Sequence, residues 1–238
     1  MIEERLDGRS VVVFGGSSGV GLAVAQRASL LGGTVTIASR NRQRLVAAAA
    51  QGDRLETASV DIRDADAVAK FFTGRDPFDH VVVSAAELST STLRDRPLTE
   101  ARAAVESKLW GAIHVAHSAR IRDTGSLTLV SGMLGVRPSG AATMLSVINA
   151  GLDTLAKALA TEMAPIRVNC ASPGRLDTPW WDHLSDSQRH DLFSKTAAAL
   201  PVKRVGSADE VAAQIIHLML NGFMSGSVVQ IDGGGSAA

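Results

Sequence analysis

Seven short runs rich in strand-forming residues alternate with longer stretches of helical periodicity, and that alternation limits what the chain can fold into. SVVVF (10–14), TVTIAS (34–39), residues 55–60, HVVVS (80–84), SLTLV (126–130), IRVNCAS (166–172) and VVQI (228–231) read as strands. They are short and apolar, and glycine or polar turn residues bound them. Helical patterns fill residues 20–31, 42–50, 64–72, 99–121, 143–163 and 207–220, with Asp64 and the Ser207-to-Glu210 capping box as starts and Gly32-Gly33 as a stop. A strand that is apolar throughout must be covered on both faces, which calls for a parallel sheet joined by helical crossovers. The expected fold is a three-layer, doubly wound α/β sandwich of Rossmann type, one domain over residues 1–238. Residues 179–206 resist a simple assignment. They mix Trp180, Trp181, His183 and His190 with charges and read as a flap over a cleft.

The loop after the first strand carries chemistry. In VVVFGGSSGVGLA, Gly15, Gly19 and Gly21 allow a tight turn and let a phosphate approach bare backbone. The following helix points its N–H groups, beginning at Val20, toward that anion, and Ser17 and Ser18 add hydroxyl donors. A purely structural glycine turn is the competing reading, and the strand–turn–helix context favours a dinucleotide. At the end of the second strand stand Ser39, Arg40, Asn41 and Arg42. A cofactor with a free ribose 2′-hydroxyl calls for Asp or Glu there, whereas guanidinium groups suit a 2′-phosphate. NADP(H) is therefore favoured over NAD(H); the alternative is that Arg40 and Arg42 are solvated charges at a helix start.

These motifs, with others in order, make the chain resemble the short-chain dehydrogenases/reductases over essentially its full length. The resemblance rests on FGGSSGVG (14–21), Asp61-Ile62, IRVNCASPGRLDTP (166–179) and SGSVVQIDGG (225–234). It implies that Asp61 holds the adenine edge with Ile62 beside it. It also implies that Ser84, with Ala85 and Ala86, lies near the cofactor ribose, and that Pro173, Gly174, Leu176 and Thr178 line the nicotinamide. It further implies a homodimer or homotetramer. Members of that family usually carry a catalytic Asn, Ser, Tyr and Lys. Here the Tyr position is Leu145, the Lys position is Asn149, the Ser position is Gly132 with Ser131 before it, and the Asn position is Lys108. The usual Asn-Asn-Ala-Gly reads Ser84-Ala-Ala-Glu87, and the threonine that opens the glycine loop is Phe14. The chain has no tyrosine at all, so no change of alignment supplies the proton donor.

Lysine and asparagine have thus exchanged positions 108 and 149. If the family geometry holds, both face one pocket, where Lys108 and Asn149 bind the nicotinamide ribose and Lys108 serves as the proton relay; otherwise Lys108 reaches solvent and Asn149 bonds backbone. Ser131 is a second candidate, for a substrate oxygen or for local backbone. His114 and His117 are expected at a helix or subunit surface, and no metal-ligand spacing is present. Three readings follow: an NADP(H)-dependent oxidoreductase acting on a carbonyl or alcohol, a cofactor-binding protein without turnover, and a non-redox enzyme on the same scaffold. A small-molecule substrate of unknown identity is the expected partner. The 24 basic and 24 acidic residues balance, so neither nucleic acid nor a membrane surface is expected. Cys170 is alone, the apolar runs are short, and MIEERLDG reads as no secretory signal, so a cytoplasmic protein is expected.

Overall fold

In the computed structural model, residues 5–51, 55–86, 92–95 and 97–238 are described. In chain order the elements are β1 (Ser10–Phe14), α1 (Gly19–Leu30), β2 (Thr34–Ser39), α2 (Arg42–Ala49), β3 (Leu55–Ser59), α3 (Ala65–Phe72) and β4 (Phe78–Val83). There follow α4 (Leu98–Ala104), α5 (Gly111–Ser118), β5 (Ile121–Val130), α6 (Thr143–Glu162), β6 (Arg167–Pro173), β7 (Leu176–Asp177), α7 (Asp186–Ala199), β8 (Gly206–Ser207), α8 (Ala208–Leu220) and β9 (Val228–Ile231). A seven-stranded sheet runs β3-β2-β1-β4-β5-β6-β9, and its pairs are all parallel. This is the doubly wound α/β architecture that the alternating pattern predicts.

The period of two along each strand assigns the faces. Val12 and Phe14 of β1 pack with residues of α3, α5 and α6, while Val11 and Val13 pack with α1, α2 and α8. Six phenylalanines serve the whole chain, and four of them meet in one place: Phe14 lies 5.4 Å from Phe71 and 5.8 Å from Phe72, which in turn contact Phe78. Phe14, at the position where the resemblance leads one to expect threonine, is therefore a core plug. The edge strand β3 departs from the expectation of strands covered on both faces: Glu56, Thr57 and Ser59 are exposed. β5 begins at Ile121, ahead of the apolar run, because Phe78 pairs with Ile121 across a register shift before His80 meets Ser126.

Two segments differ from simple expectation. α4 and α5 form one continuous helix interrupted by a π-helical stretch, Val105–Trp110. Residues 179–206 contain the helix α7, started by a capping box in which Ser185 accepts from the Gln188 N–H and the Gln188 side chain accepts from Ser185 N–H. Among the described residues no helix is long and apolar enough to cross a membrane.

Candidate active site

In the sheet the chain runs from β1 outward through β2 to β3, then returns to β4 on the other side of β1. Loops at the carboxyl ends of the strands diverge at such a reversal and leave a crevice. Here it is a cleft of about 1120 Å3, reached by the loops after β1, β2, β3, β4, β5 and β6.

One end is built from backbone. Gly15 has φ +85°, and a Cβ on it would lie 2.5 Å from the Ala85 nitrogen. A Cβ on Gly21 would overlap the Gly15 carbonyl, so Gly21 holds α1 against the loop rather than lining the cleft. Ser17, Ser18, Gly19 and Val20 do line it, and the Ser18 side chain makes no capping bond to the first turn of α1. The helix start thus presents bare amides at the positive end of a dipole, an arrangement that suits an anion. Ser17 Oγ donates to Ser39 Oγ at 3.2 Å and ties the loop to the end of β2.

Ser39 and Arg40 line the same end, joined by Arg44 and Arg63. Asn41 does other work: its side chain accepts from the Arg44 N–H at 3.0 Å and caps α2. Arg42 is exposed and off the cleft wall. Two further residues of helix turn a side chain by about 200°, which is why Arg44 meets the cleft and Arg42 does not. Asp61 and Ile62 line the cleft beside them. The Asp61 carboxylate is gripped by Arg63, whose Nη2 stands 2.7 Å and Nε 3.1 Å away, with the Arg63 N–H donating at 3.0 Å. Those hydrogen bonds hold the Asp61 carboxyl below its ordinary range.

The other end is built from side chains. Ser84, Ala85 and Ala86 follow β4, and Pro173, Gly174, Leu176 and Thr178 follow β6; all line the cleft. Glu87 lies outside the described residues. Lys108, from the π-helical stretch, is 6% exposed. Its Nζ donates to the Ser131 carbonyl and to Asn149 Oδ1, both at 2.7 Å. The exchanged pair therefore meets. Burial draws the Lys108 ammonium down to about 8, with Cys170 and then Asp153 opposing. Gly132 belongs to the same change: a Cβ there would stand 2.8 Å from Asn149 Nδ2, so the amide pinned by Lys108 fills the space a serine would need. Ser131 Oγ is buried and has no hydrogen-bond partner, while its N–H donates to the Ala171 carbonyl at 2.9 Å. Leu145 and Asn149 stand one turn apart on α6, both buried and both at the cleft.

Met133 and Leu134 form the near wall, and Pro179, Trp180, Trp181 and His183 form the roof. Trp181 is anchored: its Nε1 donates to the Leu176 carbonyl at 3.0 Å, its ring packs edge-on against Phe193, and the Arg175 guanidinium lies 5.3 Å from its centre. His190 is exposed and away from the cleft, as is His117. His114 is half-buried, with Nδ1 2.9 Å from the Ile62 carbonyl. Among the described residues no cluster of His, Cys, Asp and Glu is able to hold a metal. Arg44, Arg63, Met133 and Leu134 were not singled out from the sequence. The helical period marks Arg44; for the other three no local signal exists.

Comparison with known proteins agrees with this geometry. The family model described as "Enoyl-(Acyl carrier protein) reductase" matches residues 15–236. "3-oxoacyl-[acyl-carrier-protein] reductase FabG" of Chlamydia muridarum is 30% identical over 244 residues, covering 95% of this chain and 96% of that one. "Short-chain dehydrogenase/reductase ucsE" of Acremonium sp is 28% identical, covering 97% and 96%. A crystal structure of a small-chain dehydrogenase in complex with NADPH superposes with a TM-score of 0.85 at 30% identity, covering 98% of this chain and 100% of that one.

Proposed function

The chain belongs to the short-chain dehydrogenase/reductase family of oxidoreductases, and from that premise we propose that it is an NADP(H)-dependent enzyme acting on a carbonyl or alcohol through a rebuilt proton relay. The residues present fit the cofactor: a Cβ would fill the cradle at Gly15, amides open α1, and Arg40 and Arg44 stand where a 2′-phosphate needs cations. NADP(H), when bound, supplies or takes the hydride.

The observation that carries the reading is the ammonium at the cleft floor, with Lys108 Nζ held 2.7 Å from Asn149. Tyrosine is absent from the chain and Leu145 moves no proton. Lys108 holds one at Nζ, and burial brings its affinity to about 8, where it gives up and regains the proton near neutral pH. Asn149 and the Ser131 carbonyl fix the direction of the amine. Met133, Leu134, Trp180 and Trp181 exclude water and give the site an apolar wall, which suits an apolar or aromatic substrate.

A second reading, cofactor binding without turnover, is favoured by one observation: Ser131 is at the cleft wall, but its hydroxyl is buried and bonds nothing. One experiment separates the two. NADPH and NADH are titrated against the flap tryptophan fluorescence, and NADPH consumption is followed over a panel of ketones and aldehydes. NADPH preference with consumption supports the enzyme. Tight NADPH binding with no consumption across the panel supports the second reading, and no binding of either coenzyme rejects both.

A further inference from the structure

Lys108 is a buried cation whose two hydrogen-bond acceptors, a backbone carbonyl and an amide oxygen, are both neutral. Neutral acceptors satisfy N–H groups but do not offset the cost of burying a charge, which calls for an opposite charge nearby. The elements packed around Lys108 supply few charges. Glu106, Arg102 and His117 of its own helix are exposed, and His114 is turned to the Ile62 carbonyl. β5 offers hydroxyls at Thr128 and Ser131, and β6 offers Ser172 and the Cys170 thiol. Burial pushes that thiol up to about 12, so it is uncharged at neutral pH. α6 offers Asp153.

Asp153 sits one turn beyond Asn149 on the same face, 8% exposed, in a row whose other members are Leu145 and Asn149. Its Oδ1 accepts from Cys170 Sγ at 3.5 Å, a weak donor for a buried carboxylate. The opposite wall is cut away to admit it: a Cβ on Gly135 would stand 2.8 Å from Asp153 Oδ2. A carboxylate is thus placed in the core with one weak hydrogen bond, one turn along α6 from the Asn149 amide that holds the buried ammonium.

We propose that Asp153 is a positioning residue for Lys108, its carboxylate the buried counter-charge that keeps the amine protonated beneath the cleft while Asn149 takes the direct hydrogen bond. The two charges act through space, which is effective in a poorly polarisable interior. The proposal rests on the reading of Lys108 as the proton relay only for its meaning in catalysis; the pairing itself is tested without turnover.

The protein has five lysines, so lysine Cε labelling gives a small set of resonances, with Lys108 assigned by its loss in Lys108→Met. In the full-length protein without cofactor, the Lys108 resonance is titrated in the parent and in Asp153→Asn. The expected result is a midpoint lower by about one unit or more in Asp153→Asn, the size typical of a lost opposite charge. An unmoved or raised midpoint overturns the proposal. Lys108→Met reads the pair from the other side, should Asp153→Asn not fold. Without the ammonium, the buried Asp153 carboxylate is left without its counter-charge. Adding Asp153→Asn to Lys108→Met should then raise the urea midpoint at pH 7 above that of Lys108→Met alone. An unchanged or lower midpoint overturns the proposal. If the shift appears yet Lys108→Met turns over like the parent, the pair stands and the relay reading falls.

Discussion

At one end of the cleft the lining is backbone: glycines at 15 and 19 strip the chain to its amides, and α1 lends its dipole. At the other end the floor is made of buried side chains, Lys108, Asn149 and Leu145. The two ends differ in how much change they tolerate. A backbone cradle has one geometry and admits no substitution that adds a Cβ at Gly15. A side-chain layer can be exchanged in concert, and positions 108, 149 and 132 are compatible with that: the Lys108 ammonium holds the Asn149 amide, and Gly132 leaves the amide room.

The largest effect expected from this contrast is at the cradle. Gly15→Val places a branched side chain at φ +85° against Ala85, and NADPH affinity should fall by roughly 1000-fold, about 4 kcal/mol. Fluorescence titration checks it; a folded variant that binds like the parent breaks the distinction. At the other end, Lys108→Ala should leave binding in place and lower turnover by roughly 10²–10⁴-fold, the contribution of a general acid. In the parent, reductive turnover should decline as pH rises through about 8, because the ammonium is the donor and is lost there; a rate flat to pH 10 argues against it. Replacing both Arg40 and Arg44 with alanine should cost NADPH roughly 10–100-fold and leave NADH unchanged, since only the former presents a phosphate to the forked donors. Equal losses for both coenzymes would move the guanidiniums away from the 2′ position.

The smallest effect on the cleft is expected from the far end of the sheet. His80, at the start of β4, is buried with Nδ1 2.9 Å from Ser126 Oγ, and burial holds it down at about 4 against an ordinary 6.5. The folded chain keeps it neutral while the unfolded chain takes up a proton, so stability is lost as pH falls from 6.5 toward 4. His80→Gln should flatten the pH dependence of the urea midpoint in that window and leave coenzyme affinity untouched. A changed affinity would mean that the two ends of β4 are coupled.

The sheet and the glycine loop were legible because they rest on periodicity and on glycine's lack of a Cβ, both local properties. Position 42 shows where local reading stops: Arg42 and Arg44 are equally basic, and only the phase of α2, which starts at the Asn41 cap, decides which one lines the cleft. The exchanged pair at 108 and 149 was visible as a pattern, but the contact between them depends on the packing of α6 against a stretch 41 positions earlier in the chain. Asp153 leaves a fainter signal, a carboxylate one turn beyond Asn149 on α6, whose meaning requires knowing that Cys170 and Gly135 stand against it and that Lys108 bonds the neighbouring Asn149. Residues 179–206 were opaque because α7 buries none of its residues, leaving no apolar stripe to read.

The π-helical stretch at Val105–Trp110 bears on how this layer was able to arise. Each residue advances an α-helix by about 100°, so one extra residue in the coil re-aims everything that follows it. Deleting a single residue there would let the coil tighten to its regular pitch and swing Lys108 off its bearing, with no change to its identity or its neighbours in sequence. The aim of the amine is therefore a matter of winding, and an insertion or deletion in that coil would be felt at the cleft before any substitution within it.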